Sequence, residues 1–147
     1  MKKINGTWFE FQHHHTIEGT YWNEICRAFS CADWARKIEE IAELDMEYIV
    51  LQNVSRVSPG LQESYYPDAM FPIPDHFLCK DAVETLLTTA DRLDLKVFMP
   101  IGYFANWLTP DVTMKSPDLF QKAKPEITKL YRRYGHHPSF YGWYFPD

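Results

Sequence analysis

No segment of this chain is apolar for long enough to cross a bilayer, which takes about 20 residues. The longest purely aliphatic run is Ile49-Val50-Leu51, so no membrane partner is expected. The amino terminus, Met1-Lys2-Lys3-Ile4-Asn5-Gly6, has two lysines but lacks the apolar core of a signal peptide. As given, the chain is expected in the cytoplasm, or in a secreted or periplasmic setting if a leader has been removed. Cysteine is scarce. Cys26, Cys31 and Cys79 are too few for a disulfide framework, and no C-x-x-C spacing points to structural zinc. Cys26 and Cys31 could pair on oxidation, but reduced, partly buried thiols are the expectation. There is no excess of positive charge: 15 basic residues face 20 acidic ones, a net of −5, which argues against nucleic acid as a partner. Phosphate-cradling glycine motifs are missing too, both G-x-G-x-x-G and the Walker A form. Neither a Ser-His-Asp order nor a cysteine with a convincing partner stands out.

What is present is an ordinary globular balance, 46% hydrophobic and 24% charged over 147 residues, which is one domain, residues 1–147. Aromatics are abundant at 16%. They either fill a bulky core or pave a cleft, where a ring can stack on the apolar face of a pyranose.

The pattern along the chain repeats. Gly6 to Gln12 reads as a strand, rich in strand formers and polar at its end. A long aromatic loop, His13 to Ser30, follows. A helix begins after Ser30, with Trp34, Ile38, Ile41 and Leu44 on one stripe. Glu47 to Asn53 is a second strand, continuously apolar as in a sheet covered on both faces. The stretch from Val54 to Leu78 reads as a proline-rich loop. A second helix spans Lys80 to Leu93, with Ala82, Leu86, Leu87, Ala90 and Leu93 inward. Leu95 to Gly102 is a third strand. Ser116-Pro117-Asp118 announces a third helix, running to Tyr134 and stopping at Gly135, with a kink or break expected at Pro125. Phe140 to Phe145 is a fourth strand.

The order strand–helix–strand–helix–strand–helix–strand predicts an α/β fold with a parallel sheet and right-handed crossovers. Two architectures fit: an open doubly wound sheet, or the first half of a (β/α)8 TIM barrel. The doubly wound reading wants a glycine fingerprint after the first strand. Gln12-His13-His14-His15 stands there instead, which favours the half-barrel.

Long motifs carry a family resemblance. Gly6-Thr7-Trp8-Phe9-Glu10-Phe11-Gln12-His13-His14, Tyr21-Trp22-Asn23-Glu24-Ile25-Cys26, Tyr48-Ile49-Val50-Leu51, Glu63-Ser64-Tyr65-Tyr66-Pro67 and Tyr134-Gly135-His136-His137-Pro138-Ser139-Phe140-Tyr141-Gly142-Trp143-Tyr144 resemble the DUF4434 family. That is a domain of unknown function grouped with glycoside-hydrolase-like TIM barrels. The resemblance covers nearly the whole chain. It implies a carbohydrate cleft at the C-terminal ends of the strands. It also implies a general acid/base after strand four and a nucleophile after strand seven.

In a parallel α/β sheet, ligands gather at the strand C-termini. The carboxylates predicted there are Glu10 and Asp147, the candidate catalytic pair, because glycosidases work with two carboxyls flanking the scissile bond. Glu63 is a third candidate. Gln12, Asn53 and Asn106 offer neutral amides suited to sugar hydroxyls. His13 and His14 border the same end. Tyr65, Tyr103, Trp107 and Tyr144 are predicted to line it, with Trp22 and Tyr66 as further rings for stacking. Consecutive histidines in a strand face opposite ways, so no metal site or cofactor is expected from His13, His14 and His15. His136 and His137 fall on the N-terminal side of the sheet, which reads as stability. The alternative to an enzyme is a non-catalytic carbohydrate-binding or scaffold module, completed by an oligomer or by a C-terminal half. A half-barrel would leave an open inner face and bare edges, so a homodimer through either, or partial closure of the opening by the Val54–Leu78 loop, is expected.

Overall fold

The computed structural model describes residues 3–13, 19–58, 61–101 and 117–145. Among them are six strands and four helices. In chain order these are β1 (Gly6–Phe9), α1 (Thr20–Arg27), α2 (Cys31–Glu43), β2 (Tyr48–Leu51), β3 (Ser55–Ser58), β4 (Leu61–Ser64), α3 (Ala82–Arg92), β5 (Lys96–Pro100), α4 (Pro117–Tyr134) and β6 (Phe140–Tyr144). Strands β1, β2, β5 and β6 form one parallel sheet in that spatial order, and β3 and β4 form a separate antiparallel hairpin.

The sheet has two unlike faces. Phe9, Ile49, Leu51, Val97 and Met99 point to one side and are buried there with Trp34, Ile38, Val83, Leu86, Leu87 and Leu130 from the helices. The other side carries Trp8, Tyr48, Phe98, Tyr141 and Tyr144, with Trp8 56% and Tyr141 54% exposed. A sheet that advances one strand at a time through right-handed crossovers stacks its helices on one side only. Trp8 and Tyr144 sit on the two outermost strands, which would lie about 14 Å apart in a flat sheet. Their rings meet edge-on with centroids 5.0 Å apart. Side chains standing perpendicular to a flat sheet could not meet over that span, so the sheet curls toward this face.

Ser30 caps α2 in a reciprocal capping box with Asp33, as its sequence position suggests. Trp34 and Ile38 face the core, but Leu44 does not. It is the C-cap, and the stripe has run out by then. Both α2 and α3 end on a leucine followed by an aspartate at positive φ, Asp45 at 61° and Asp94 at 54°. After α3 the Leu95 N–H reaches the Ala90 carbonyl (3.0 Å) and the Asp94 N–H reaches that of Asp91 (3.3 Å), a Schellman closure. Gly135, just after α4, has a different reason to be glycine. A Cβ there would lie 2.6 Å from the Tyr131 carbonyl oxygen.

Four expectations need correction. The stretch His13 to Ser30 is not simply loop: it holds α1, a helix with no side-chain N-cap. The stretch Val54 to Leu78 holds the β3–β4 hairpin. Helix α4 is continuous through Pro125, so of the kink or break expected there the break does not occur. The carbonyl that proline leaves unpaired belongs to Gln121, an exposed position where water can take the bond. Finally, Cys31 and Cys79 are not the reduced thiols expected, nor does Cys31 pair with Cys26: Cys31 bonds to Cys79, tying the start of α2 to the segment before α3. Cys26 is the free, buried thiol.

The segment between the hairpin and α3 is held to the helices by polar contacts. The Asp81 carboxylate caps α3 at the Glu84 N–H, accepts the Tyr134 hydroxyl (2.6 Å) and pairs with Arg133 (3.0 Å). The Tyr66 hydroxyl donates to Glu126, whose other oxygen pairs with Lys129.

Candidate functional site

All four parallel strands present their C-terminal ends at one edge of the sheet, because their registers run Phe9 to Leu51, Val50 to Phe98 and Pro100 to Tyr144. The chain leaves β1 as Glu10-Phe11-Gln12-His13. Phe11 is anchored by Trp34 and Tyr65, with ring centroids 5.1 and 5.7 Å away. Glu10 and His13, the residues that flank this stretch, meet each other. The imidazole Nδ1 of His13 bonds Oε1 of Glu10. Both side chains are about four-fifths covered.

The backbone of His13 is gripped from three directions. Its N–H donates to Asn23 Oδ1 (2.7 Å), and its carbonyl accepts from Asn23 Nδ2 (3.3 Å) and from Arg56 Nη1 (3.1 Å). Asn23 lies on α1, and Gly19 before it is packed so closely that a Cβ would stand 2.5 Å from that of His13. The short helix α1 therefore serves to fix this corner. Asn53, two residues beyond β2, donates to the Gln12 carbonyl (3.3 Å), and Gln12 itself bonds the carbonyl of Phe11 (3.0 Å).

Beneath this corner is a buried polar floor. Arg56 on β3 and Glu63 on β4 stand directly opposite each other in the hairpin and form an ion pair (2.8 Å) with side chains 2% and 5% exposed. The Tyr65 hydroxyl donates to the same Glu63 oxygen (2.8 Å). Burial first, and then the adjacent Glu63 charge, push the Tyr65 phenol well above its ordinary range, so it remains a donor. Three buried polar atoms here have no partner among the described residues: Glu10 Oε2, Asn53 Oδ1 and Arg56 Nε.

The structure thus brings Glu10, Gln12, His13, Asn53, Glu63 and Tyr65 into one connected cluster. The Tyr65 ring is fully buried, packed on Phe11 and Phe77, and joins the cluster through its hydroxyl alone. Tyr144 lies at the end of β6 against Trp8, on the open face of the sheet. His14, Tyr103, Asn106, Trp107 and Asp147 lie outside the described residues. Arg56 and Asn23 are members that the sequence reading missed. In the sequence Pro59-Gly60 is a turn signal, and a hairpin read about it would set position 56 opposite 63, so the Arg56–Glu63 pairing could have been read from that symmetry. Asn23 has no comparable signal.

The fold and this cluster define an α/β protein with a curled parallel sheet and a buried, incompletely paired polar site at its strand ends. The family model for the domain of unknown function DUF4434 matches residues 4–147, and the chain belongs to that family. Comparison with curated proteins and with solved structures finds no match.

Proposed function

We propose that this chain forms four βα units of a glycoside-hydrolase-like (β/α)8 TIM barrel and binds carbohydrate at the C-terminal ends of its strands. The observation that carries this reading is the Glu10 carboxylate. One oxygen is held by His13, and the other, directly after β1, is buried with no partner among the described residues. Around the same stretch of backbone stand a second orphan acceptor, Asn53 Oδ1, and an orphan donor, Arg56 Nε. A hydroxyl both donates and accepts, so a polyol answers this mixture better than a simple cation or anion does. The one-sided helices, the sequential strand order and the curl support the half-barrel.

Hydrolysis needs two carboxyls, about 5–5.5 Å apart for retention or 6.5–9.5 Å for inversion. Glu10 is the acid/base candidate, with Asp147 as its partner. A second reading is a non-catalytic carbohydrate-binding or scaffold module, completed by a second copy or by further strands. It is favoured by Glu63, whose Oε1 is already engaged by Arg56 and Tyr65. The Cys31–Cys79 bond supports the exported alternative for location, since such bonds persist in oxidising compartments.

The test is a screen of aryl glycosides for turnover and of soluble oligosaccharides for binding, with wild type and Glu10→Gln. Turnover abolished by the substitution supports the enzyme. Binding without turnover, weakened by Glu10→Gln, supports the module. Neither activity with any sugar would overturn both.

A further inference from the structure

A second cluster lies at the N-terminal end of β6, the end of that strand remote from Tyr144. His137, just before β6, is buried with its side chain 6% exposed. Its Nδ1 lies 2.6 Å from Asp91 Oδ2, and its Nε2 lies 3.4 Å from Glu84 Oε2, both carboxylates belonging to α3. The adjacent His136 ring lies 4.3 Å from it, centroid to centroid, and is exposed. One ligand atom each from Glu84, His136 and His137 falls within 4.8 Å of the others.

The hydrogen bonding of His137 decides what this cluster wants. A carboxylate at 2.6 Å accepts, so Nδ1 carries the proton. Nε2 then faces the Glu84 oxygen at 3.4 Å, and either an N–H bond or a metal ion can join the two. A charge-assisted N–H···O bond draws in to about 2.7–2.9 Å. Two ligands bonded tetrahedrally to one zinc ion, at about 2.0–2.1 Å each, stand about 3.3 Å apart. The observed 3.4 Å matches the ion.

The outer contacts are those of a metal site. Asp91 fixes the His137 tautomer and is itself held by the Ser139 N–H (2.8 Å). Glu84 accepts from the Thr88 hydroxyl through its other oxygen (3.3 Å). A carboxylate behind the histidine, itself hydrogen-bonded, is the arrangement that orients metal-bound imidazoles. The exposed His136 ring, 4.3 Å from that of His137, supplies the third ligand atom.

We propose that Glu84, His136 and His137 bind one divalent transition-metal ion, zinc by ligand type, with solvent in the remaining position, and that this ion clamps the α4–β6 turn to α3. This site is separate from the Glu10 cluster and does not depend on the carbohydrate reading.

The test uses the full chain without an affinity tag, stripped with chelator and titrated with Zn2+ or Co2+. One ion per chain is expected, with the visible spectrum of tetrahedral Co2+ and a rise in melting temperature on adding Zn2+. His136→Ala, at an exposed position that leaves folding intact, is expected to weaken binding at least about ten-fold, as is Glu84→Gln. His76→Ala, at an exposed histidine outside both clusters, is expected to bind as wild type. No stoichiometric binding by the folded wild type, equal binding by His136→Ala, or loss of binding in His76→Ala would each overturn the proposal.

Discussion

Arg56 and Glu63 show how much a single residue can carry here. Each is nearly sealed from water, and each is the other's counter-charge. Removing one leaves an uncompensated buried charge, which costs about 3–5 kcal/mol, whereas replacing both with apolar residues of similar volume is often neutral. Arg56→Met alone is therefore expected to lower urea-unfolding stability by that amount. Arg56→Met/Glu63→Leu is expected to recover most of it while losing whatever ligand the site binds. Equal losses in the single and double variants would place the stabilisation in Arg56 packing rather than in charge. Cys26 makes a second residue-scale case. Burial is the largest influence on its thiol and pushes it up to about 12, so almost no thiolate forms near neutrality. Titration with a thiol reagent should find no reactive thiol in the native, non-reduced protein, one after denaturation and three after denaturation with reduction.

At the scale of elements, local chemistry explains both what the sequence announces and what it conceals. The capping box of α2 is legible from Ser30 and Asp33. It also has a pH signature. Hydrogen bonds from the Ser30 hydroxyl and N–H hold the Asp33 carboxyl below its ordinary value. A lowered folded-state value means the contribution is complete above the unfolded value, about 3.9, and is lost as pH falls through the folded one. The melting-temperature gap between wild type and Asp33→Ala should stay constant from neutrality down to about pH 5 and close below about pH 4. The aspartates that end α2 and α3 are less legible. Nothing local distinguishes Asp94 from a surface charge, yet it sits at φ 54°, where glycine has no Cβ penalty. Asp94→Gly is expected to raise stability by about 0.5–1 kcal/mol in thermal unfolding. Helices α2 and α3 could be read from periodicity because each buries a regular stripe, the parallel strands from their runs of strand formers, and α4 from the signals that start and stop it. Helix α1 could not. It is eight residues long, lacks a side-chain cap, and exists to bring Asn23 under His13. The hairpin hides likewise, because Ser55–Ser58 and Leu61–Ser64 bury Arg56 and Glu63 where strand patterns lead one to expect apolar residues.

Over the whole molecule, two features act across long stretches of chain. The Cys31–Cys79 bond closes a loop of 48 residues. Loop entropy sets its stabilisation at about 4 kcal/mol, with measured bonds commonly giving about 2–4. Cys31→Ser/Cys79→Ser should lose that much under oxidising conditions and match reduced wild type. The pairing was invisible beforehand because proximity of these residues depends on the placement of α2 beside the segment leading into α3, which no local pattern reveals. The second feature is the curl of the sheet. It gathers Trp8, Tyr48, Phe98, Tyr141 and Tyr144 onto one concave face, while β1 and β6 remain at the sheet's two margins. An exposed aromatic patch bounded by strand margins is a surface that drives association. Light scattering on this chain should therefore report a mass above the 17.4 kDa of one copy. Trp8→Ser/Tyr141→Ser, which removes the two most exposed rings of the patch, should shift the mass toward one copy without changing the far-ultraviolet dichroism. If the wild type runs as a single copy and its tryptophan emission is indifferent to concentration, this face is not an interface, and the dimer half of the scaffold reading falls with it.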